Sequence, residues 1–168
     1  GDETLADTVA RAYYKLLAVK DEYEVARLFT NGQFAERLKR QFEGNFSLEF
    51  HLAPPILSTL DAVTGRPQKK AYGGWMMTVF KVLARFKGLR GSALDPFRNS
   101  TDRKLDRALI KQYEADMETL LLGLSADNHA DAVAIAALPL SIRGYGPVRE
   151  DAAKQADTER VKLIRAFQ

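Results

Sequence analysis

The sequence predicts a mainly α fold, six to seven helices in an orthogonal bundle with one small β-hairpin at about residues 46–52 and 67–72. Three observations predict it. Apolar residues recur every three or four positions through most of the chain, the period that lays a stripe along one helix face. Only Phe46 to Leu52, Phe-Ser-Leu-Glu-Phe-His-Leu, alternates strictly between apolar and polar, the period of a half-buried strand. Glycine, proline and asparagine cut the helical pattern into separate segments.

Thr4 to Phe29 lacks glycine and proline, and Leu5, Val9, Ala12, Tyr13, Leu16 and Leu17 form a stripe that resumes at Tyr23, Ala26 and Phe29. This reads as two helices, or one kinked near Lys20-Asp21. The charged cluster Lys20, Asp21, Glu22 and Glu24 is expected on a solvated helix face, because paired-carboxylate chemistry needs a burial that nothing in the sequence implies. Asn31-Gly32 stops the helix. Phe34, Leu38 and Phe42 repeat every four residues through a third helix, which Gly44-Asn45 ends. Ala53-Pro54-Pro55 ends the strand, since neither proline can donate to a ladder. Thr64-Gly65-Arg66-Pro67 is a turn signal, and Gln68 to Tyr72 returns as the partner strand.

Tyr72 to Phe97 is the stretch around which the chain is organised, and it holds the only tryptophan. Trp75, Met76, Val79, Phe80, Leu83 and Phe86 cover a broad apolar face, and Thr78, Lys81 and Arg85 a narrow polar one. Such a helix is expected to be covered on most sides, with Trp75, Phe80 and Phe86 spaced as core. Ser100 or Thr101 should cap a long helix striped by Leu105, Leu109, Tyr113, Met117, Leu120 and Leu121 and stopped by Gly123. Ser125 is expected to cap the next helix, made of the small, closely packing Ala132, Val133, Ile135, Ala136 and Ala137 and interrupted by Pro139. Gly144-Tyr145-Gly146-Pro147 turns into a final helix whose apolar members are Val148, Ala152, Ala156, Leu163 and Phe167, with Glu150 and Lys154 as an i,i+4 pair.

With 168 residues and 46% hydrophobic content, residues 1–168 read as a single domain able to bury about two thirds of its unfolded surface. The chain opens on Gly1 rather than methionine, as a protease-trimmed tag leaves it, so it is read as a domain excised from a longer polypeptide. Without cysteine there is no disulfide, iron–sulfur ligation or cysteine nucleophile, and a reducing cytoplasm fits best. No apolar run approaches the roughly 20 residues of a membrane span. P-loop, nucleophile-elbow and His-Glu-x-x-His motifs are missing, and Arg149 stands where the run from Gly144 would need its last glycine to bind a dinucleotide. His51 and His129 are the only histidines, so no zinc site is expected and no residue is assigned a catalytic role. His51, on the polar face of the strand, reads as a surface histidine. The net charge of +3 is unevenly spread. Arg66 to Lys111 holds twelve Lys and Arg against three Asp, hence +9, and the remainder thirteen against nineteen, hence −6.

Several separated stretches carry a family resemblance: Ala18-Val19-Lys20-Asp21-Glu22-Tyr23-Glu24-Val25-Ala26-Arg27-Leu28; Phe50-His51-Leu52-Ala53-Pro54-Pro55; Gly65-Arg66-Pro67 with Lys69; Leu89-Arg90-Gly91 with Asp95-Pro96-Phe97; and Ile142-Arg143-Gly144-Tyr145-Gly146. Together they resemble the C-terminal accessory domain of the long, fused indolepyruvate ferredoxin oxidoreductases, in the 2-oxoacid ferredoxin oxidoreductase superfamily, over nearly the whole chain. The resemblance implies a parent enzyme that oxidatively decarboxylates an aryl 2-oxoacid such as indolepyruvate, using thiamine diphosphate, iron–sulfur clusters and coenzyme A as co-substrate, and reduces ferredoxin. The Gly-Asp-Gly motif for thiamine diphosphate is missing, Gly1-Asp2 being followed by Glu3, and so are the cluster cysteines. No cofactor is therefore expected in this fragment. Pro147 stands where the family has a histidine after the Arg-Gly-aromatic-Gly turn, so any role of that histidine does not carry over.

The function this implies is a non-catalytic structural or docking domain of the parent enzyme. Arg66, Lys69, Lys70, Arg90, Arg98 and Arg103 are expected to meet an acidic surface: another domain of the enzyme, ferredoxin, or the phosphates of coenzyme A. A second reading places a small-ligand pocket at His51, Tyr72 and Trp75, aiding substrate or coenzyme A binding. A third, a free-standing nucleic-acid binder, lacks a recognition motif beside its basic residues. No membrane partner is expected.

Overall fold

A helix that is apolar along one stripe needs a second apolar surface to cover it, and the chain meets this need twice. The computed structural model describes residues 2–19, 21–53 and 68–168, so Arg66 and the turn Thr64 to Pro67 lie outside the described residues. Two compact units result, a central one of residues 20–100 and a terminal one of residues 1–19 and 101–168. Helices are numbered in chain order. α1 (Asp2–Leu17) belongs to the terminal unit; α2 (Glu22–Thr30), α3 (Gln33–Gln41), β1 (Phe50–Leu52), β2 (Lys70–Tyr72) and α4 (Met76–Arg85) belong to the central one. α5 (Thr101–Gly123), α6 (His129–Ala137) and α7 (Pro147–Phe167) complete the terminal unit. Seven helices and one antiparallel strand pair among the described residues bear out the mainly α fold with a small hairpin.

In the central unit α2 and α4 enclose an aromatic core. Ala26, Phe50, Met76 and Phe80 are buried, and Phe29 stacks on Phe80 with centroids 5.0 Å apart and meets Phe50 edge-on at 5.3 Å. The strands are shorter than their alternation predicts. Phe50 pairs with Tyr72, His51 with Ala71 and Leu52 with Lys70, and directly after Tyr72 the turn at Gly73-Gly74 starts α4. Phe46 to Glu49 are thus left without partner residues on β2, although Leu48 still packs on the core. α4 also departs from its expectation: only Met76 and Phe80 are fully buried, while Trp75 is 60% exposed and Val79 and Phe86 are exposed as well. One nine-residue helix and a three-residue hairpin cover a single side of it.

The terminal unit is built on small residues. Ala12, Ala132 and Ala136 are wholly buried and let α1 and α6 approach closely, while Leu16, Tyr113, Leu120, Ile135 and Phe167 fill the space around them. Leu121, expected in the α5 stripe, is 78% exposed; it sits one position past Leu120, off the buried face. Ser125 does not cap α6. The helix begins at His129, and Ser125 instead exchanges hydrogen bonds with Asn128, whose side chain also donates to the Gly123 carbonyl at 2.9 Å. Lys154 lies 3.6 Å from Asp151 rather than beside Glu150. Gly144 has φ +96°, and a Cβ there would come within 2.8 Å of the Val148 Cγ1, so the turn into α7 requires glycine.

Tyr113 stacks on Tyr13 and donates its hydroxyl to the Ala136 carbonyl at 3.2 Å, tying α5 to α6. Burial first, then the charge of Asp116, pushes its phenol from the ordinary 10.0 up to about 12. The folded unit thus prefers the neutral phenol, and the stability this contributes is intact below pH 10 and lost as pH rises through 12. Phenolate absorbance should show Tyr113 ionising near pH 12 together with alkaline unfolding, and Tyr113→Phe should delete that late step. Ionisation of Tyr113 at the ordinary phenol value contradicts the burial argument.

Candidate functional site

Between the end of α4 and the start of α5 the chain makes a 3-10 turn (Phe86–Leu89) and a string of bends, and two buried carboxylates shape them. Asp21 caps α2, accepting from the Glu24 amide at 2.7 Å, and its side chain is only 1% exposed. Arg90 reaches back to it in a two-pronged pair, Nε to Oδ2 at 2.6 Å and Nη2 to Oδ1 at 3.0 Å. Asp95 accepts from the Tyr23 hydroxyl at 3.0 Å, the Phe97 amide at 3.0 Å and the Gly91 amide at 2.7 Å. The ring of Phe97 meets Tyr23 edge-on at 5.6 Å, and Gly91 takes φ +74°, open to glycine at little cost. The expectation that Asp21 lies on a solvated face is thus corrected: the loop packs over it, and the guanidinium answers its charge.

This geometry sorts the basic residues singled out by sequence. Arg90 is committed to Asp21. Lys69 and Lys70 are exposed at the start of β2, and Arg98 is exposed in the loop after Asp95. Arg103 is half-buried on α5, in the other unit. The basic run therefore crosses the boundary between units at residue 100. Residues 20–100 carry thirteen Lys and Arg against eight Asp and Glu, +5, and the remainder twelve against fourteen, −2.

His51, Tyr72 and Trp75 are only partly brought together. Tyr72 and Trp75 meet edge-on with centroids 6.0 Å apart. The register places Tyr72 on the same face of the hairpin as Phe50, and His51 with Ala71 on the other. His51 is exposed and lies 2.9 Å from the Glu49 carboxylate. What the sequence did not disclose is that the part of the apolar face headed by Trp75 stays uncovered: Val79, Val82 and Phe86 follow it at helical spacing and are all exposed. The signal was present, since apolar residues extend around more of this ten-residue helix than one partner helix can cover.

In the terminal unit a cavity of about 40 Å³ lies among Tyr113, Asp116, Ile135, Pro139, Ala156 and Arg160, room for a water molecule or so. Its charges answer each other. Arg160 grips Asp116 through two hydrogen bonds of 2.6 and 2.5 Å, and that bonding raises the guanidinium's pKa. Asp106 is answered by the charge of Arg149, 2.5 Å from its Oδ1, in an ion contact without hydrogen-bond alignment. Among the described residues no group of three or more His, Asp or Glu is placed to hold a metal ion, and no helix is long and apolar enough to cross a membrane.

Fold and surface together describe a helical chain whose buried carboxylates Asp21, Asp106 and Asp116 are matched by arginines and whose net positive charge falls on residues 20–100. The chain belongs to the family of unknown function DUF6537, whose model matches residues 1–162. No curated protein and no solved structure matches it.

The Asp21–Arg90 pair has a measurable consequence. Asp21→Ala removes a helix cap and an anion together and should lower stability by about 3 kcal/mol in urea denaturation. Arg90→Ala should cost a comparable amount, and the double variant little more than either alone. Additive losses would mean that the two side chains act independently.

Proposed function

We propose that this domain is a non-catalytic structural or docking part of a thiamine-diphosphate-dependent 2-oxoacid ferredoxin oxidoreductase of the indolepyruvate type, a cytoplasmic enzyme. The parent's thiamine diphosphate, iron–sulfur clusters and coenzyme A are then handled by other parts of its polypeptide. Two things support the reading. The stretches that carry the resemblance include Asp21, Tyr23, Arg90, Gly91, Asp95 and Phe97, which form one hydrogen-bonded unit, as expected of residues that a family of domains needs in order to fold. The observation that carries the docking half is the excess of +5 on residues 20–100, with Lys69 and Lys70 exposed and Arg90 already engaged. Such a surface recruits an acidic partner: another domain of the enzyme, ferredoxin, or the phosphates of coenzyme A.

The test belongs in the full-length enzyme. Lys69→Glu with Lys70→Glu should raise the apparent KM for ferredoxin or coenzyme A by roughly 3- to 10-fold, or loosen assembly, with kcat largely retained and the effect fading at high salt. Unchanged kinetics and unchanged assembly remove the docking assignment. A reading frame that encodes these residues without thiamine diphosphate and cluster motifs upstream removes the parent enzyme.

A further inference from the structure

The surface of α4 divides into three sectors. Met76, Phe80, Leu83, Met77 and Ala84 turn inward on the aromatic core. Lys81, Thr78 and Arg85 form an exposed polar sector. Between that sector and the core lies a stripe of Trp75, Val79, Val82 and Phe86 at i, i+4, i+7 and i+11, exposed by 60, 43, 47 and 52%. This is the spacing with which one helix offers a seam to another. Four large apolar side chains in one row exceed the scattered exposure that a surface normally carries.

The charge around the stripe selects the occupant. From Ala71 to Leu94 the chain contains no Asp or Glu, while Lys81, Arg85, Lys87 and Arg90 all fall within it. Arg90 is paired with Asp21. Neither Lys81 nor Arg85 takes part in an ion pair among the described residues, and Arg85 stands three residues after Val82, bordering the stripe. A second copy of this chain is disfavoured, because a two-fold pairing of the stripe with itself would bring Arg85 and Lys81 against their own counterparts. We propose that the stripe is a docking seam for an amphipathic helix of a partner protein, apolar along one ridge and bordered by Asp or Glu. The proposal rests on the docking reading above but not on the identity of the parent enzyme.

The position of Trp75 supplies the measurement, because it is the only tryptophan and heads the stripe. The probe is a synthetic helical peptide with leucines at i, i+4, i+7 and i+11 bordered by glutamates, titrated into the whole chain. Tryptophan emission should shift to the blue and saturate, whereas the same peptide with lysines replacing the glutamates should leave it unmoved. Val82→Asp and, separately, Arg85→Glu should each weaken binding by about tenfold or more, with circular dichroism unchanged. Absence of a shift, or equal binding of the lysine peptide, overturns the proposal. So does an unliganded monomer whose tryptophan is already blue-shifted and shielded from quenchers, since the chain then covers its own stripe. A dimer that Val82→Asp dissociates assigns the stripe to a second copy and overturns it too. If the peptide fails while reversal at Lys69 and Lys70 still raises KM, the seam falls and the docking reading stands. The opposite pair of results leaves the seam and removes the lysines.

Discussion

The central unit depends on what happens to one buried carboxylate. Asp21 caps α2, and a carboxylate in that position normally faces water; here the loop after α4 closes over it and leaves its side chain 1% exposed. Burying an uncompensated charge costs several kcal/mol, so the closure needs a cation in register. Arg90 provides it with a planar fork that meets both oxygens, which the point charge of a lysine would not reproduce. Once Arg90 is fixed, Gly91 turns the chain, Asp95 gathers the Gly91 and Phe97 amides, and Tyr23 completes the link back to α2. A segment with almost no regular structure is thereby given a defined path.

The terminal unit solves the same problem differently. Asp106 and Asp116 are buried on α5, and their cations, Arg149 and Arg160, come from the far end of the chain on α7. Each pair fixes the register of α7 along α5, whereas the alanine-lined approach of α1 and α6 fixes only distance. Lys15 adds a third polar tie, donating to the carbonyls of Pro139 and Leu140 at 2.8 Å where α6 gives way to a 3-10 turn. Burial pulls the ammonium's pKa down, and the charges of Arg143 and Arg149 pull it further.

Helix positions were legible because each is signalled locally. Apolar periodicity, the break at Asp21, the glycine stops at Gly32 and Gly123 and the break at Pro139 all fall where helices begin or end. The hairpin was legible in kind but not in extent, since the length of a strand is set by its partner and β2 ends at Tyr72. The site was least legible. Asp21, sixty-nine residues from Arg90, looks like any acidic residue at a helix start until the loop is folded over it. Arg90 looks like an available cation for the same reason. Local pattern carries the apolar period and the caps; it carries nothing about which distant charge closes a pair.

The same asymmetry governs the functional surface, which is what remains once the internal commitments are subtracted. The chain carries one basic run, yet the fold divides the run between units at residue 100 and engages Arg90 internally. Periodicity marks one broad apolar helix, yet α2, β1 and β2 cover a single side of α4. After both withdrawals, uncommitted cations and uncovered apolar side chains coincide on the outer face of α4, from Trp75 to Phe86. Either remainder alone is ordinary on a protein surface. Their coincidence on one helix, in a stretch without a single carboxylate from Ala71 to Leu94, is the arrangement on which the proposed preference for an acid-bordered ridge over a basic one rests.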